Sequence, residues 1–208
     1  MNWLAHSFLS ENNIEHQLGN VLTDSLKAKA WEGASEDFYR GIDLHKKIDT
    51  FTDTHPIVKQ SKMRLDKKGH LKAVVIDIVY DYCLSLHWHQ FSSCSLEHFL
   101  NDFYSKAKIQ SQNYPNNAQE HINRIIEKNI LGSYRDFEGL EEGFIRIDKR
   151  LSQRIRNKDT ALSYLPLIKE NINDIEKDFL IFFPQLMMYI SQNLDTKRLT
   201  HWHKKPTL

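Results

Sequence analysis

The sequence predicts an all-α fold, arranged as a single-domain helical bundle. Apolar residues recur three and four positions apart over long stretches, which is the period of an amphipathic helix. Only 7 Gly and 5 Pro occur in 208 residues, too few for the many tight turns of a sandwich or barrel. The hydrophobic share of 40% is that of a globular protein with a real core. We expect one domain over residues 1–195 and a C-terminal tail over residues 196–208, with His201 and His203 at a frayed end.

The predicted helices follow one another with short polar breaks between them. Pro56 suits the first turn of its helix, and residues 113–117 form the clearest internal loop. Pro184 should kink or break the last helix near Leu180, because proline removes a backbone donor. The predicted helices span residues 2–9, 15–29, 36–53, 56–65, 71–89, 95–109, 118–131, 136–157 and 162–193.

Charge and composition exclude several classes of protein. A net charge of +1 excludes a globally basic nucleic-acid binder. No segment approaches the roughly 20 consecutive apolar residues of a membrane span, and the N-terminus lacks a basic stretch followed by a long apolar run. Cys83 and Cys94 lack CxxC spacing, so we assign them no role. We therefore expect a cytoplasmic protein with no membrane or nucleic-acid partner.

Two carboxylates interrupt the most apolar predicted helix. In the segment AVVIDIVYDYCLSLHW (residues 73–88), apolar residues surround Asp77 and Asp81 in nearly every direction. Their four-residue spacing places both carboxylates on one face, with His87 near the end of the helix. Burying ionised carboxylates without a partner is costly, so a cation is expected beside them. The alternatives are an arginine or backbone amide as partner, or a solvated face.

A second polar stripe lies in the segment GIDLHKKIDTFTDTHP. His45, Asp49 and Asp53 follow one another at four-residue steps and share a helical face. Imidazole and carboxylate are ligands suited to Mn²⁺, Zn²⁺ or iron. His6 inside WLAHSFL and Asp24 inside GNVLTDSL are further polar residues in apolar surroundings. Together the four segments favour a metal centre, although taken alone a lone His is usually a hydrogen-bonded core residue, a His-Asp pair is more often a surface ion pair, and a polar stripe can be a solvated face.

With these segments in place, the chain resembles the acyl carrier protein phosphodiesterase family, unusual relatives of the HD-domain metal-dependent phosphohydrolases. The resemblance covers most of the chain and rests on MNWLAH, GNVLTD, GIDLHKKIDTFTDTHP, IDIVYDYCLSLHW, YRDFEG and FFPQLM. It implies an HD-domain-like helical fold with a Mn²⁺-type centre. It also implies cleavage of the phosphodiester that joins 4′-phosphopantetheine to a serine of acyl carrier protein. The positions carried over are His6, Asp24, His45, Asp49, Asp53, Asp77, Asp81 and His87.

The sequence departs from HD domains in one respect. These domains are named for adjacent His-Asp ligands, and none of the eleven histidines here is followed by Asp. His45 and Asp49 would have to replace the adjacent pair through i, i+4 geometry.

The predicted mechanism divides the polar residues by role. A bound metal would lower the pKa of a water molecule, with its ligands drawn from His6, Asp24, His45, Asp77 and Asp81. Asp49 or Asp53 would position that water, and His87 or His55 would protonate the leaving serine. Arg40, Lys46 and Lys47 would face the charge that grows on the phosphoryl oxygens. Arg150 and Arg154, in the basic stretch of residues 146–158, would dock the acidic carrier protein, unless that stretch is merely a solvated face.

Other functions stay open on the sequence. A nucleotide or cyclic-nucleotide phosphohydrolase would cleave the same type of bond. A non-catalytic helical module that binds a partner would instead pair Asp77 and Asp81 with arginines, without metal. A di-iron carboxylate protein is disfavoured, because no Glu is followed by His three residues later.

Overall fold

The computed structural model describes residues 1–65 and 69–203. Within these residues it contains eleven α-helices and three short 3-10 helices, with no β-strand, which confirms the all-α prediction. The HD-like detail and the domain boundary at residue 195 stay predictions. The α-helices are α1 (Trp3–Phe8), α2 (Ile14–Leu22), α3 (Glu36–Thr54), α4 (Pro56–Arg64), α5 (Lys72–Leu86), α6 (Trp88–Phe91), α7 (Leu96–Gln110), α8 (Asn116–Glu127), α9 (Phe137–Asp148), α10 (Gln153–Arg156) and α11 (Leu165–Ser191).

Two predicted helices differ most from the structure. The helix predicted over residues 15–29 stops at Leu22, and the chain then turns, with Lys27 and Ala28 at positive φ. The helix predicted over residues 136–157 divides into α9 and α10, because Ser152 caps a new helix after Asp148. The prediction for Pro184 allowed a kink or a break, and α11 runs through this residue without a break.

The core lies between α5 and α11, and α1 packs over it. Phe179, Phe182 and Phe183 of α11 are fully buried. Phe8 of α1 contacts Phe183, with 6.0 Å between ring centroids, and Trp88, with 4.9 Å. Burying each large apolar side chain stabilises the fold by roughly 1.5–3 kcal/mol. This packing fixes α1 although it has only six residues.

Glycines bring α2 and α3 together at backbone distance. A Cβ at Gly19 would overlap the carbonyl oxygen of Phe38, and a Cβ at Gly41 would overlap that of His16. Glycine is therefore required at both positions, because any side chain would force the two helices apart. The two helices carry Asn20 and His45, so this crossing sets the distance between those residues.

The C-terminal segment packs against the core as far as residue 203, so the predicted frayed end is wrong for the described part of the tail. The carboxylate of buried Glu11 accepts from the backbone N–H of Asp195 at 2.9 Å and pairs with Arg198 at 3.3 Å. His201 is buried, and its Nε2 donates to the carbonyl oxygen of Phe8 at 2.7 Å. His203 also donates its backbone N–H to Phe91. Residues 204–208 of the predicted tail lie outside the described residues.

Acid should weaken the fold through His201. Burial lowers the pKa of His201 to about 4, and its Nδ1 has no hydrogen-bond partner among the described residues. Because the folded pKa lies below the unfolded value of about 6.5, this contribution to stability is present above pH 6.5 and is lost as the pH falls toward 4. We expect protonation of His201 to lower the free energy of unfolding by roughly 2–3 kcal/mol between pH 7 and pH 4.5.

Urea unfolding of His201→Gln at both pH values checks this expectation. Burial also lowers the pKa of His16 to about 4, so the variant should lose only part of the acid dependence. Equal acid dependence in the variant and the wild type would show that His201 does not contribute.

No helix within the described residues combines the length and the apolar character needed to cross a membrane.

Candidate metal centre

Three side chains from α1 and α3 converge on one point. His6, His45 and Asp49 each offer a ligand atom within 4.8 Å of the others. Nε2 of His6 lies 3.3 Å from Oδ1 of Asp49, and Nε2 of His45 lies 3.0 Å from Oδ2 of the same carboxylate. The imidazole rings stack with centroids 4.1 Å apart. The Asp49 carboxylate thus bridges the Nε2 atoms of the two stacked imidazoles.

Asn20 on α2 orients both imidazoles. Its side-chain oxygen lies 2.7 Å from Nδ1 of His6, and its backbone oxygen lies 2.8 Å from Nδ1 of His45. Its amide nitrogen donates to the backbone oxygen of His6 and to the hydroxyl of Ser10, both at 2.9 Å, which fixes the orientation of the amide. Because carbonyl oxygens only accept, each Nδ1 must donate. Both Nε2 atoms therefore face Asp49.

The atoms that face the centre suit a cation. Nε2 of His6 lies 3.2 Å from the backbone oxygen of Met1, so its neighbours there and at Asp49 are acceptors. Nε2 of His45 and Oδ1 of Asp49 are buried and have no well-aligned hydrogen bond to any described residue. Nitrogen and oxygen lone pairs that converge in this way require a proton or a metal ion among them. Two imidazoles and a carboxylate are a fitting donor set for Mn²⁺, Zn²⁺ or iron.

The electrostatics of the three residues favour the same conclusion. Burial lowers the pKa of His6, which keeps its imidazole neutral. Burial also opposes the ionisation of Asp49, but His45 and His6 outweigh it and hold the pKa of this carboxyl well below its usual range. For His45, the carboxylates of Asp24 and Asp49 outweigh burial and raise the pKa to about 9. Without a metal, a proton on His45 and the amino group of Met1, 3.5 Å from Oδ1 of Asp49, therefore supply the positive charge.

Asp24 and Asp77, both predicted as ligands, adjoin the three residues. Oδ1 of Asp24 lies 3.3 Å from Nε2 of His45, and the Asp24 side chain is 79% exposed. Oδ1 of Asp77 lies 3.1 Å from the amino nitrogen of Met1, which is also 3.5 Å from Oδ1 of Asp49. Asp24 thus lies on the solvent side of the centre and Asp77 beside the N-terminus.

Asp81, predicted as a metal ligand, binds backbone N–H groups in the structure. Its carboxylate oxygens accept from the backbone N–H groups of Leu4 and Ala5, at 2.8 and 3.1 Å. These are orphan donors of α1, for which Asn2 provides no side-chain cap. Burial raises the pKa of Asp81 to about 7 despite these bonds. Asp81 is therefore the cap of α1, supplied by α5.

The predicted catalytic residues His87 and Asp53 do not join the centre and pair with other residues. His87 follows the last turn of α5, ten residues or about 15 Å along the helix from Asp77, and its Nε2 lies 2.7 Å from Glu176. Asp53 is exposed and pairs with Lys62 at 3.0 Å.

His55, the other residue predicted as general acid, caps α4. Its Nδ1 accepts from the backbone N–H of Ile57 at 3.3 Å, and its Nε2 lies 3.3 Å from the side-chain oxygen of Gln185.

Most of the predicted substrate-binding cations are paired elsewhere. Arg40 binds Glu11 and Asp37 in the network that holds the C-terminal segment. Lys46 pairs with Asp43 at 3.0 Å, and Lys47 donates to Asn193 at 2.7 Å.

The two predicted docking arginines differ in their surroundings. Arg154 is exposed on α10. Arg150 lies over the ring of Trp3, 5.9 Å from its centroid, and so is close to α1. The structure therefore brings only Arg150 of this pair near the helix that carries His6.

Comparison with known proteins identifies the family. A family model described as acyl carrier protein phosphodiesterase matches residues 1–186. Relatives of that name include one from Pectobacterium atrosepticum, 31% identical over 190 residues that cover 90% of this chain and 96% of the relative. The relative from Photorhabdus laumondii is 27% identical over 90% of this chain and 93% of its own length. A relative from Escherichia coli is 26% identical over 92% of this chain and 98% of its own length. No solved structure matches. The chain therefore belongs to the acyl carrier protein phosphodiesterase family.

Proposed function

We propose that this chain is a metal-dependent phosphodiesterase that acts on holo acyl carrier protein. It hydrolyses the bond between 4′-phosphopantetheine and the carrier serine, which yields apo carrier protein and 4′-phosphopantetheine. The observation that carries the proposal is the convergence of His6, His45 and Asp49 on one point. The substrate is proposed from the name shared by the relatives.

His6, His45 and Asp49 would hold a divalent ion, with Mn²⁺ as the expected metal. Asp24 and Asp77 are next to them and can complete the ligand set. When bound, such an ion lowers the pKa of a water molecule and polarises a phosphoryl oxygen.

The residues of the chain support this chemistry by orientation. Asn20 holds both imidazoles with Nε2 toward the centre, which removes the need to reorganise them when substrate binds. Asp24 is the most exposed carboxylate next to the centre. Water and substrate can therefore reach the centre from the side on which Asp24 lies. Asp49 lies where a ligand would lie, and we therefore group it with the metal ligands rather than with the residues that position water.

A mass measurement on the carrier protein tests the proposal. Purified protein is incubated with holo acyl carrier protein and Mn²⁺, and the expected result is loss of the complete phosphopantetheine arm. A parallel sample with excess EDTA should leave the carrier protein intact. Unchanged holo carrier protein, together with turnover of nucleotides or cyclic nucleotides, would instead identify a nucleotide phosphohydrolase.

A further inference from the structure

Three arginines lie close enough for their charges to interact, without enough carboxylates to balance them. Arg124 belongs to α8, Arg146 to α9, and Arg150 follows α9. Nη2 of Arg124 lies 3.4 Å from Nδ1 of His121, and its buried Nε has no hydrogen-bond partner among the described residues. Arg146 donates to the hydroxyl of Ser133 at 2.9 Å. We refer to Arg124, Arg146 and Arg150 as the arginine cluster.

The charges of the cluster are only partly compensated. Arg146 lies 3.5 Å from Glu142, an exposed residue. Neither Arg124 nor Arg150 has a carboxylate within ion-pair distance in the part of the chain that the structure describes. Burial, together with the charges of Arg124 and Arg146, lowers the pKa of Arg150. Like charges held together in this way destabilise the free protein, which is typical of a binding site for an anion.

The cluster is linked to the candidate metal centre through α1 and α5. Phe137 of α9 contacts Tyr82 of α5, and Gly143 faces Ile78, so the two helices run in opposite directions. Arg146 and Arg150 therefore lie toward the N-terminal half of α5, which carries Asp77. Arg150 also lies over Trp3, two residues from Met1, whose amino nitrogen is 3.1 Å from Asp77.

We propose that the arginine cluster is a binding subsite for a phosphate monoester group. Two guanidinium groups without carboxylate partners match the charge of about −1.5 to −2 on a phosphate monoester, whereas one carboxylate would neutralise only one of them. Guanidinium groups also bind phosphate oxygens in pairs. A phosphodiesterase that follows the proposed function releases such a monoester, 4′-phosphopantetheine. The role as a product site rests on that proposed function, but binding of phosphate does not.

Calorimetric titration of the full-length protein with inorganic phosphate tests binding directly. EDTA is present, so that phosphate cannot bind through a metal ion. Arg124→Gln and Arg150→Gln should each weaken binding by about tenfold, since each removes charge-assisted hydrogen bonds. The matched control is Arg135→Gln, an exposed arginine outside the cluster, which should bind phosphate like the wild type.

Thermal unfolding without phosphate separates a ligand site from a structural one. Each of the two cluster variants should be at least as stable as the wild type, because like-charge repulsion is relieved. A loss of stability in both variants would indicate that the cluster serves the fold and would overturn the proposal. So would equal phosphate affinity in the wild type and in Arg124→Gln/Arg150→Gln.

Product inhibition of the Mn²⁺-loaded protein then tests the role of the subsite. 4′-Phosphopantetheine should inhibit the wild type about tenfold more strongly than either cluster variant. If phosphate binds as expected but no hydrolysis of holo carrier protein occurs, the subsite stands and the proposed function fails. If apo carrier protein binds through these arginines and phosphate does not, the cluster is a protein dock and the phosphate proposal is wrong.

Discussion

Replacing Asp49 with Asn should abolish hydrolysis and weaken Mn²⁺ binding by more than about 100-fold. Loss of a residue that only orients a metal ligand already lowers metal affinity by about 10–100-fold, and loss of a ligand should cost more. Asp49 is the residue that both imidazoles share, with its oxygens 3.3 Å from His6 and 3.0 Å from His45. The amide keeps the size of the side chain but removes the negative charge that offsets a divalent ion. Calorimetric titration with Mn²⁺ and the carrier-protein mass assay measure the two effects.

The matched control for this change is Asp102→Asn. Asp102 is a carboxylate on α7 that pairs with Lys106 one turn later, at an exposed position. The control should bind Mn²⁺ and hydrolyse substrate like the wild type. Retention of Mn²⁺ affinity in Asp49→Asn would show that the ion does not bind between these histidines.

Replacing Asn20 with Ala should destabilise the fold by roughly 2–4 kcal/mol and weaken Mn²⁺ binding by about 10–100-fold. The change removes the acceptor of His6 Nδ1 and the donor to the hydroxyl of Ser10, all in a buried environment. His6 would then be buried with an unsatisfied N–H and without a fixed ring orientation. The backbone oxygen of Asn20 still accepts from His45, so only one imidazole is released.

Asn171→Ala provides the comparison for Asn20→Ala. Asn171 makes a local hydrogen bond to the backbone oxygen of Leu167 on α11, so its loss should cost at most about 1 kcal/mol. Chemical unfolding in the presence of EDTA gives the stability of each variant, and titration with Mn²⁺ gives its affinity. If Asn20→Ala matches Asn171→Ala in both measurements, Asn20 does not orient the centre.

The sequence could predict the residues of the centre wherever helix geometry alone decides the arrangement. Four-residue spacing places His45 and Asp49 on one face of α3, and the structure brings their side chains within 3.0 Å. His6 and Asp24 were recognisable as polar residues in apolar segments, and both adjoin this pair. The existence of most helices was predictable for the same reason, because their period depends only on local spacing.

The roles of other residues depend on contacts between segments that are distant in sequence, and the spacing of residues along one helix does not reveal these contacts. Asp81 has the same spacing from Asp77 as Asp49 has from His45, yet it caps α1 because that helix lacks a cap of its own. Arg40 was predicted to bind substrate because it is close to His45 in sequence, but the structure pairs it with Glu11. Asn20 precedes Asp24 by one helical turn in the sequence, but its contacts with both imidazoles require the glycine crossing of α2 and α3.

The cap that Asp81 supplies to α1 has a consequence for the order of folding. A helix of six residues is far shorter than the roughly 12–15 residues that an isolated helix needs to persist in water. Its cap comes from a residue 77 positions away, so α1 becomes helical only when α5 is already in place. His6 therefore lies 3.3 Å from Asp49 only in a chain in which α1 is docked on α5.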